Sequence, residues 1–219
     1  MKKQAVLFDL DGTLLNTLND IGRSMNSALA LHGLPGHAMD KYRYFVGNGA
    51  VNLTLRALGD RADLLDAVYA DYRRIYSRDC RIQTQPYAGV PDMLAALAAR
   101  GARLCVFSNK DQNDVESVVR EYFPNVRFED VRGRVPNVAI KPAPDGALLA
   151  ARTLGVAPED FFYLGDTATD MECAKNAGMT AVGAAWGFRT REELSQSGAR
   201  HILSAPEEML ALWDGDENA

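Results

Sequence analysis

Little in this 219-residue sequence suits a secreted, membrane-spanning or nucleic-acid-binding protein. It has only three cysteines, Cys80, Cys105 and Cys173, with no CxxC and no paired spacing, so it carries no disulfide framework. Cys105 lies inside the apolar run Leu104-Cys105-Val106-Phe107, where a reduced, buried thiol is expected. No stretch approaches the ~20 apolar residues that cross a bilayer. The basic start Met1-Lys2-Lys3 meets Asp9 and Asp11 too soon for a signal peptide. Net positive charge is missing as well: at −5 the chain is a poor match for nucleic acid or an anionic membrane. His32, His37 and His201 show no ligand spacing, and there is no internal repeat or low-complexity tract. By default this implies a cytoplasmic location and a monomer or homodimer. The 47% hydrophobic and 24% charged residues are ordinary for a globular chain with a substantial core.

Short apolar runs end abruptly in charge or glycine, as buried strands of a parallel sheet do. They lie at Ala5–Phe8, Arg103–Phe107, Phe161–Leu164 and Thr180–Ala185, with a shorter one at His201–Leu203. Between them are helical patterns with readable ends. Val90-Pro91-Asp92 opens one, Asp145–Leu154 closes at Gly155, Met171–Ala177 closes at Gly178, and Glu207–Trp213 is a last helix. Alternation from about residue 85 predicts an α/β fold, a Rossmann-like parallel sheet covered on both faces. Residues 16–82 differ, with apolar positions at helical spacing: Ile21, Met25 and Leu29; Val51, Leu55 and Leu58; Leu64, Leu65, Val68 and Tyr72. The expected organisation is a core of residues 1–15 and 83–213, an inserted helical domain over 16–82, and a flexible acidic tail over 214–219.

Four motifs fall at or just beyond predicted strand ends. In open α/β sheets ligands bind there. Asp9-Leu10-Asp11-Gly12-Thr13 follows the first strand, and residues two apart on an extended segment face the same way. Two carboxylates so close repel unless a cation or shared proton intervenes. Thr13 offers a hydroxyl and an amide to phosphate oxygens. An Asp-Gly turn ending a strand would account for the same residues. Ser108-Asn109 suits a bound phosphate, or an N-cap for a helix near Asp114–Tyr122. Lys141 could neutralise a phosphate, although a lone lysine is usually a solvated surface group. Asp166 could hold magnesium with Asp170 behind it. In the same stretch Thr169-Asp170-Met171-Glu172 reads as a capping box. Each motif has a structural explanation by itself; together they would stand on one rim of one sheet.

In order and spacing these motifs resemble those of the haloacid dehalogenase superfamily of phosphohydrolases, over nearly the whole chain. The helical insertion resembles that family's mobile cap. The resemblance implies that Asp9 is a nucleophile forming an aspartyl-phosphate and that Asp11 is the acid and base. It places Mg2+ on Asp9, the backbone carbonyl of Asp11 and Asp166, with Asp170 in support. Ser108 and Lys141 would hold the phosphoryl oxygens, and Thr13 and Asn109 would help bind substrate. An aspartate near its ordinary pKa is ionised at neutral pH and needs no base. Within the superfamily, Val46-Gly47-Asn48-Gly49-Ala50 and Pro86-Tyr87-Ala88-Gly89-Val90 resemble the cap loop and return linker of phosphoglycolate phosphatases. Gly47, Asn48 and Gly49 are therefore candidate contacts to a small phosphorylated metabolite. Asn16-Thr17 departs from the Asp-Ser of many relatives. A phosphomutase, or a non-catalytic binding protein on the same scaffold, is the alternative. Phosphonatase chemistry would need a cap lysine, and Lys41 is the only lysine in residues 16–82.

Overall fold

The computed structural model describes residues 3–215, so most of the expected acidic tail, residues 216–219, lies outside the described residues. The chain opens with β1 (Ala5–Phe8) and a short β2 (Leu15–Asn16). Helices α1 (Leu18–Leu31), α2 (Tyr42–Phe45), α3 (Gly49–Leu58) and α4 (Leu65–Asp79) follow. A short β3 (Gln85–Pro86) returns the chain to α5 (Val90–Ala99), β4 (Arg103–Asp111), α6 (Gln112–Tyr122) and β5 (Phe128–Arg134). The remainder is α7 (Asp145–Leu154), β6 (Phe161–Gly165), α8 (Ala168–Ala177), β7 (Thr180–Ala184), α9 (Arg191–Gln196), β8 (His201–Leu203) and α10 (Glu208–Asp214).

Six strands form one parallel sheet in the order β5-β4-β1-β6-β7-β8, the expected α/β architecture. Alternate side chains of β1 feed opposite layers. Val6 and Phe8 pack with Met93 of α5, Val115 of α6 and Leu212 of α10. Ala5 and Leu7 pack with Ala147 and Ala150 of α7 and with Met171 and Ala174 of α8. Each large apolar side chain removed from water this way contributes roughly 1.5–3 kcal/mol. The chain leaves β1 toward β4 on one side and β6 on the other, which opens a crevice at their carboxyl ends.

The helices α1 to α4 stand over that crevice on two crossing strands. β2 pairs antiparallel with β3, Leu15 opposite Pro86 and Asn16 opposite Gln85. The buried Asp20 carboxylate accepts from the amides of Gln83 and Thr84 at 2.8–3.0 Å, tying the start of α1 to the returning chain.

Several elements depart from the sequence pattern. β5 forms where no strand is predicted. Its charged residues read as loop, but they serve a sheet edge, where charge discourages further pairing: Glu129 pairs with Arg103 at 2.5 Å, and Asp130 pairs with Arg132. Residues 191–196, assigned to no element from sequence, form α9, whose start is capped by Thr190 and Glu193. β4 runs four residues beyond Phe107, and α8 begins three residues before Met171. On α3 the buried apolar residues are Leu53, Ala57 and Leu58, so Val51 and Leu55 lie off the buried stripe. The three cysteines are free and buried, as the apolar setting of Cys105 suggests.

Candidate active site

Asp9 continues β1 by one residue, its amide donating to the carbonyl of Leu164 at 2.9 Å. Asp166 and Asp170 flank the start of α8 beyond β6. One carboxylate oxygen from each of Asp9, Asp166 and Asp170 lies within 4.8 Å of the others, and all three residues are buried. Lys141, also buried, donates to Asp9 Oδ1 at 2.6 Å and Asp170 Oδ1 at 2.7 Å, and to the carbonyl of Phe107 at 3.1 Å. Burial, then the charge of Asp170, pushes the Asp9 carboxyl up to about 7, against the opposing pull of Lys141. That corrects the expectation of a carboxyl at its ordinary value. Burial, followed by the charges of Asp170 and Asp9, likewise drives Asp166 well upward. Burial alone would lower Lys141, but the two carboxylates outweigh it and hold the ammonium firmly protonated.

The capping box expected at Thr169 and Glu172 is displaced. Asp170 is the third residue of α8, and its Oδ2 accepts from the Thr167 amide at 3.1 Å and the Thr167 hydroxyl at 2.6 Å. Asp170 therefore caps the helix with one oxygen and holds Lys141 with the other. Asp166 Oδ2 accepts from the Phe188 amide at 2.7 Å, and Oδ1 from the Thr13 hydroxyl at 3.4 Å. A Cβ on Gly12, which has φ +91°, would come within 2.2 Å of Asp166 Oδ2. One on Gly187 would come within 2.4 Å of both Asp166 Cβ and the Gly12 carbonyl. These two glycines let backbone close around Asp166. No sequence motif marks Gly187.

Three buried carboxylates against one ammonium leave an uncompensated negative site, which is costly in a low-dielectric interior. All-oxygen donors of this kind suit a hard divalent cation. The residues present fit such an ion.

β4 loses register with β5 beside this cluster. Four steps from Phe107 to Asp111 match two from Arg132 to Arg134, so Ser108, Asn109 and Lys110 bulge out of the ladder. α6 starts only at Gln112, so Ser108 is not its N-cap. Ser108 faces the pocket, its hydroxyl accepting from the Lys110 amide at 3.3 Å. The Asn109 side chain is spent on backbone: it accepts from the Lys141 amide at 2.8 Å and donates to the carbonyls of Gly47 and Lys141 at 3.0 and 3.2 Å. Lys110 Nζ donates to both Asp11 oxygens at 2.8 and 2.9 Å and to the Tyr76 hydroxyl of α4 at 2.7 Å. Lys110 and Tyr76 went unread in the sequence, the first because an isolated lysine reads as surface.

A pocket between the helices and the sheet rim is lined by Asp9, Asp11, Ser108, Asn109, Lys110 and Lys141 below, with Gly47, Gly49, Leu53, Tyr72 and Tyr76 above. Thr13 and Asn48 are placed outside this lining. The Thr13 hydroxyl is on Asp166, while Asn48 donates to the Thr169 hydroxyl at 3.1 Å and accepts from Arg56 at 2.6 Å. Lys41 is exposed and does not reach the pocket. The upper wall is fastened by reciprocal arginines. Arg43 donates to the carbonyls of Gly187 and Phe188, and Arg189 donates to those of Arg43 and Val46. Arg73 of α4 pairs with Asp111, which also pairs with Arg134.

The model of the haloacid dehalogenase-like hydrolase family matches residues 6–184. An N-acetylmuramic acid 6-phosphate phosphatase of Pseudomonas aeruginosa is 29% identical, over 98% of this chain and 96% of its own. A phosphoglycolate phosphatase of Mannheimia succiniciproducens is 32% identical over 87% and 89%. A crystal structure from Lactobacillus delbrueckii subsp. bulgaricus, a candidate phosphoglycolate phosphatase, superposes with a TM-score of 0.93 at 29% identity, covering 97% of this chain and 99% of that one.

Proposed function

We propose, from the premise that this chain belongs to the haloacid dehalogenase-like hydrolase family, that it is a magnesium-dependent phosphatase of a small, phosphoglycolate-like phosphorylated metabolite. The observation that carries this reading is the buried cluster of Asp9, Asp166 and Asp170, with Lys141 bridging Asp9 and Asp170, where Asp9 and Lys141 line a pocket at the rim of a parallel sheet. Phosphatase names among relatives that match nearly the whole chain support it.

Asp9, Asp166 and the backbone carbonyl of Asp11 would hold magnesium. When bound, the ion supplies positive charge between two anions that must meet, the Asp9 carboxylate and the phosphate. Asp9 attacks phosphorus in line and carries the phosphoryl group as an aspartyl-phosphate. Lys141 and Ser108 bind the transferring oxygens, with Asn109 and Asp170 holding Lys141 in place by its backbone and its ammonium. Asp11 gives its proton to the leaving oxygen and then takes one from the water that releases phosphate. Residues 16–82 act as a cap on a core of 1–15 and 83–213, closing the pocket against bulk water.

The test is release of inorganic phosphate from a panel of phosphorylated metabolites with magnesium, in the native protein and Asp9→Asn. Turnover in the native protein and none in a folded Asp9→Asn is expected. Comparable turnover in the variant would refute covalent catalysis by Asp9.

A further inference from the structure

We infer that Arg43 is a positioning residue for Asp166: from α2 it fixes the one peptide group whose amide holds that carboxylate ready for a divalent cation. The inference rests on the reading above that Asp166 takes the ion, and adds to it a side chain from residues 16–82. The peptide group is the one between Gly187 and Phe188. Its carbonyl, on Gly187, accepts from Arg43 Nη2 at 2.9 Å. Its amide, on Phe188, donates to Asp166 Oδ2 at 2.7 Å. A trans peptide is planar with its N–H pointing away from its C=O, so whatever fixes one fixes the direction of the other. The guanidinium on the carbonyl side also polarises the group and strengthens the N–H as a donor. Arg43 Nε takes the next carbonyl, that of Phe188, at 3.1 Å, so the guanidinium grips two successive peptide groups.

The plane needs this restraint. Gly187 lies between β7 and α9, and a glycine leaves its flanking peptide groups the freest to rotate. No side chain at that position can do the fixing, since a Cβ would come within 2.4 Å of Asp166 Cβ. Among the described residues no backbone amide donates to the Gly187 carbonyl. Asp166, Gly187 and Phe188 are all buried, so bulk water does not replace the amide if the plane turns. Arg189 returns the grip. It donates to the carbonyls of Arg43 and Val46, and its guanidinium lies 5.3 Å from the centre of the Tyr44 ring. Trp186 anchors the other end of the segment, donating from Nε1 to the Thr13 carbonyl at 3.0 Å, and the Thr13 hydroxyl reaches Asp166 Oδ1. Residues 186–189 thus connect α2 to both oxygens of Asp166, to one directly and to the other through Thr13.

The experiment measures magnesium affinity by calorimetric titration, and exchange of the Phe188 amide by NMR in metal-free protein. The native protein is compared with Arg43→Met, Arg43→Lys and Arg73→Met. Removing a hydrogen-bond partner of a ligating carboxylate weakens metal binding by about 10–100-fold. Arg43 acts one peptide further out and is exposed, so Arg43→Met should weaken it by about 10-fold, with faster exchange at Phe188. Arg43→Lys, one ammonium for two carbonyls, should lose about 3-fold. Arg73→Met cuts a different tie, between α4 and Asp111 at the end of β4, and should bind magnesium as the native protein does. Native affinity in a folded Arg43→Met overturns the inference. So does equal weakening in Arg73→Met, which would make any loosening of the helices sufficient, and so does weakened binding with Phe188 exchange unchanged. If the native protein itself binds no magnesium, the cation reading falls and takes the inference with it. Thermal melting in EDTA reports whether each variant is folded. Should Arg43→Met not fold, Arg43→Lys decides alone, native affinity and native exchange there overturning the inference.

Discussion

The acid cluster should make the protein's stability depend on pH and magnesium together. Asp9 stands at about 7 in the folded chain against an ordinary 3.8. Between those values the folded state holds a proton that the unfolded state has released, so stability falls as pH rises through this window. Once pH passes about 7 the whole penalty applies. A rise of that size corresponds to on the order of 4 kcal/mol. Asp166, raised for the same reasons, acts in the same direction. A divalent cation on these carboxylates takes the proton's place and lifts the penalty. Melting curves at pH 5.5 and pH 8, each with magnesium and with EDTA, measure it. About 2 of those 4 kcal/mol fall between pH 5.5 and pH 7, so at about 2–4 °C per kcal/mol for a chain this long magnesium should raise the melting temperature by roughly 4–8 °C more at pH 8 than at pH 5.5. Asp9→Asn, which needs no counter-charge, should melt higher than the native protein in EDTA at pH 8. An equal gain from magnesium at both pH values would show that no raised carboxyl titrates at the ion's site.

Gly187→Ala drives a Cβ into the Gly12 carbonyl and Asp166, so it should cost about 1–3 kcal/mol and weaken magnesium binding. Calorimetric titration checks the second effect, and native affinity would free Asp166 from its dependence on that glycine. Lys141→Met leaves Asp9 and Asp170 buried without their shared ammonium. Breaking a buried pair in this way costs about 3–5 kcal/mol. The variant should melt lower than the native protein in EDTA at pH 8 and recover part of the loss with magnesium. A melting temperature equal to native would mean that water already screens the pair.

The sheet interior was legible because burial on both faces leaves a run with no polar interruption, as in Ala5–Phe8, and each such run lies where a strand forms. The same physics hid β5, since an edge strand answers to solvent on its free side and carries the charge of a loop. Helix ends were readable where one residue decides them, as Gly155 and Gly178 do in the left-handed region. The start of α8 was misread because Asp170, needed by Lys141, also fits the capping position, and a rule applied to Thr169 and Glu172 could not see the second demand. The acids at strand tips could be picked out because, each explicable alone, they fall together on one rim of the sheet. Lys110 could not, because what sets it apart from a surface lysine is a bulge in β4 and a tyrosine from α4, thirty-four residues away in the chain. Residues that take part in chemistry through the sheet's own geometry were written locally. Those that depend on the helices closing over the sheet exist only as a contact between two distant segments, and such contacts are what would separate one phosphate ester from another.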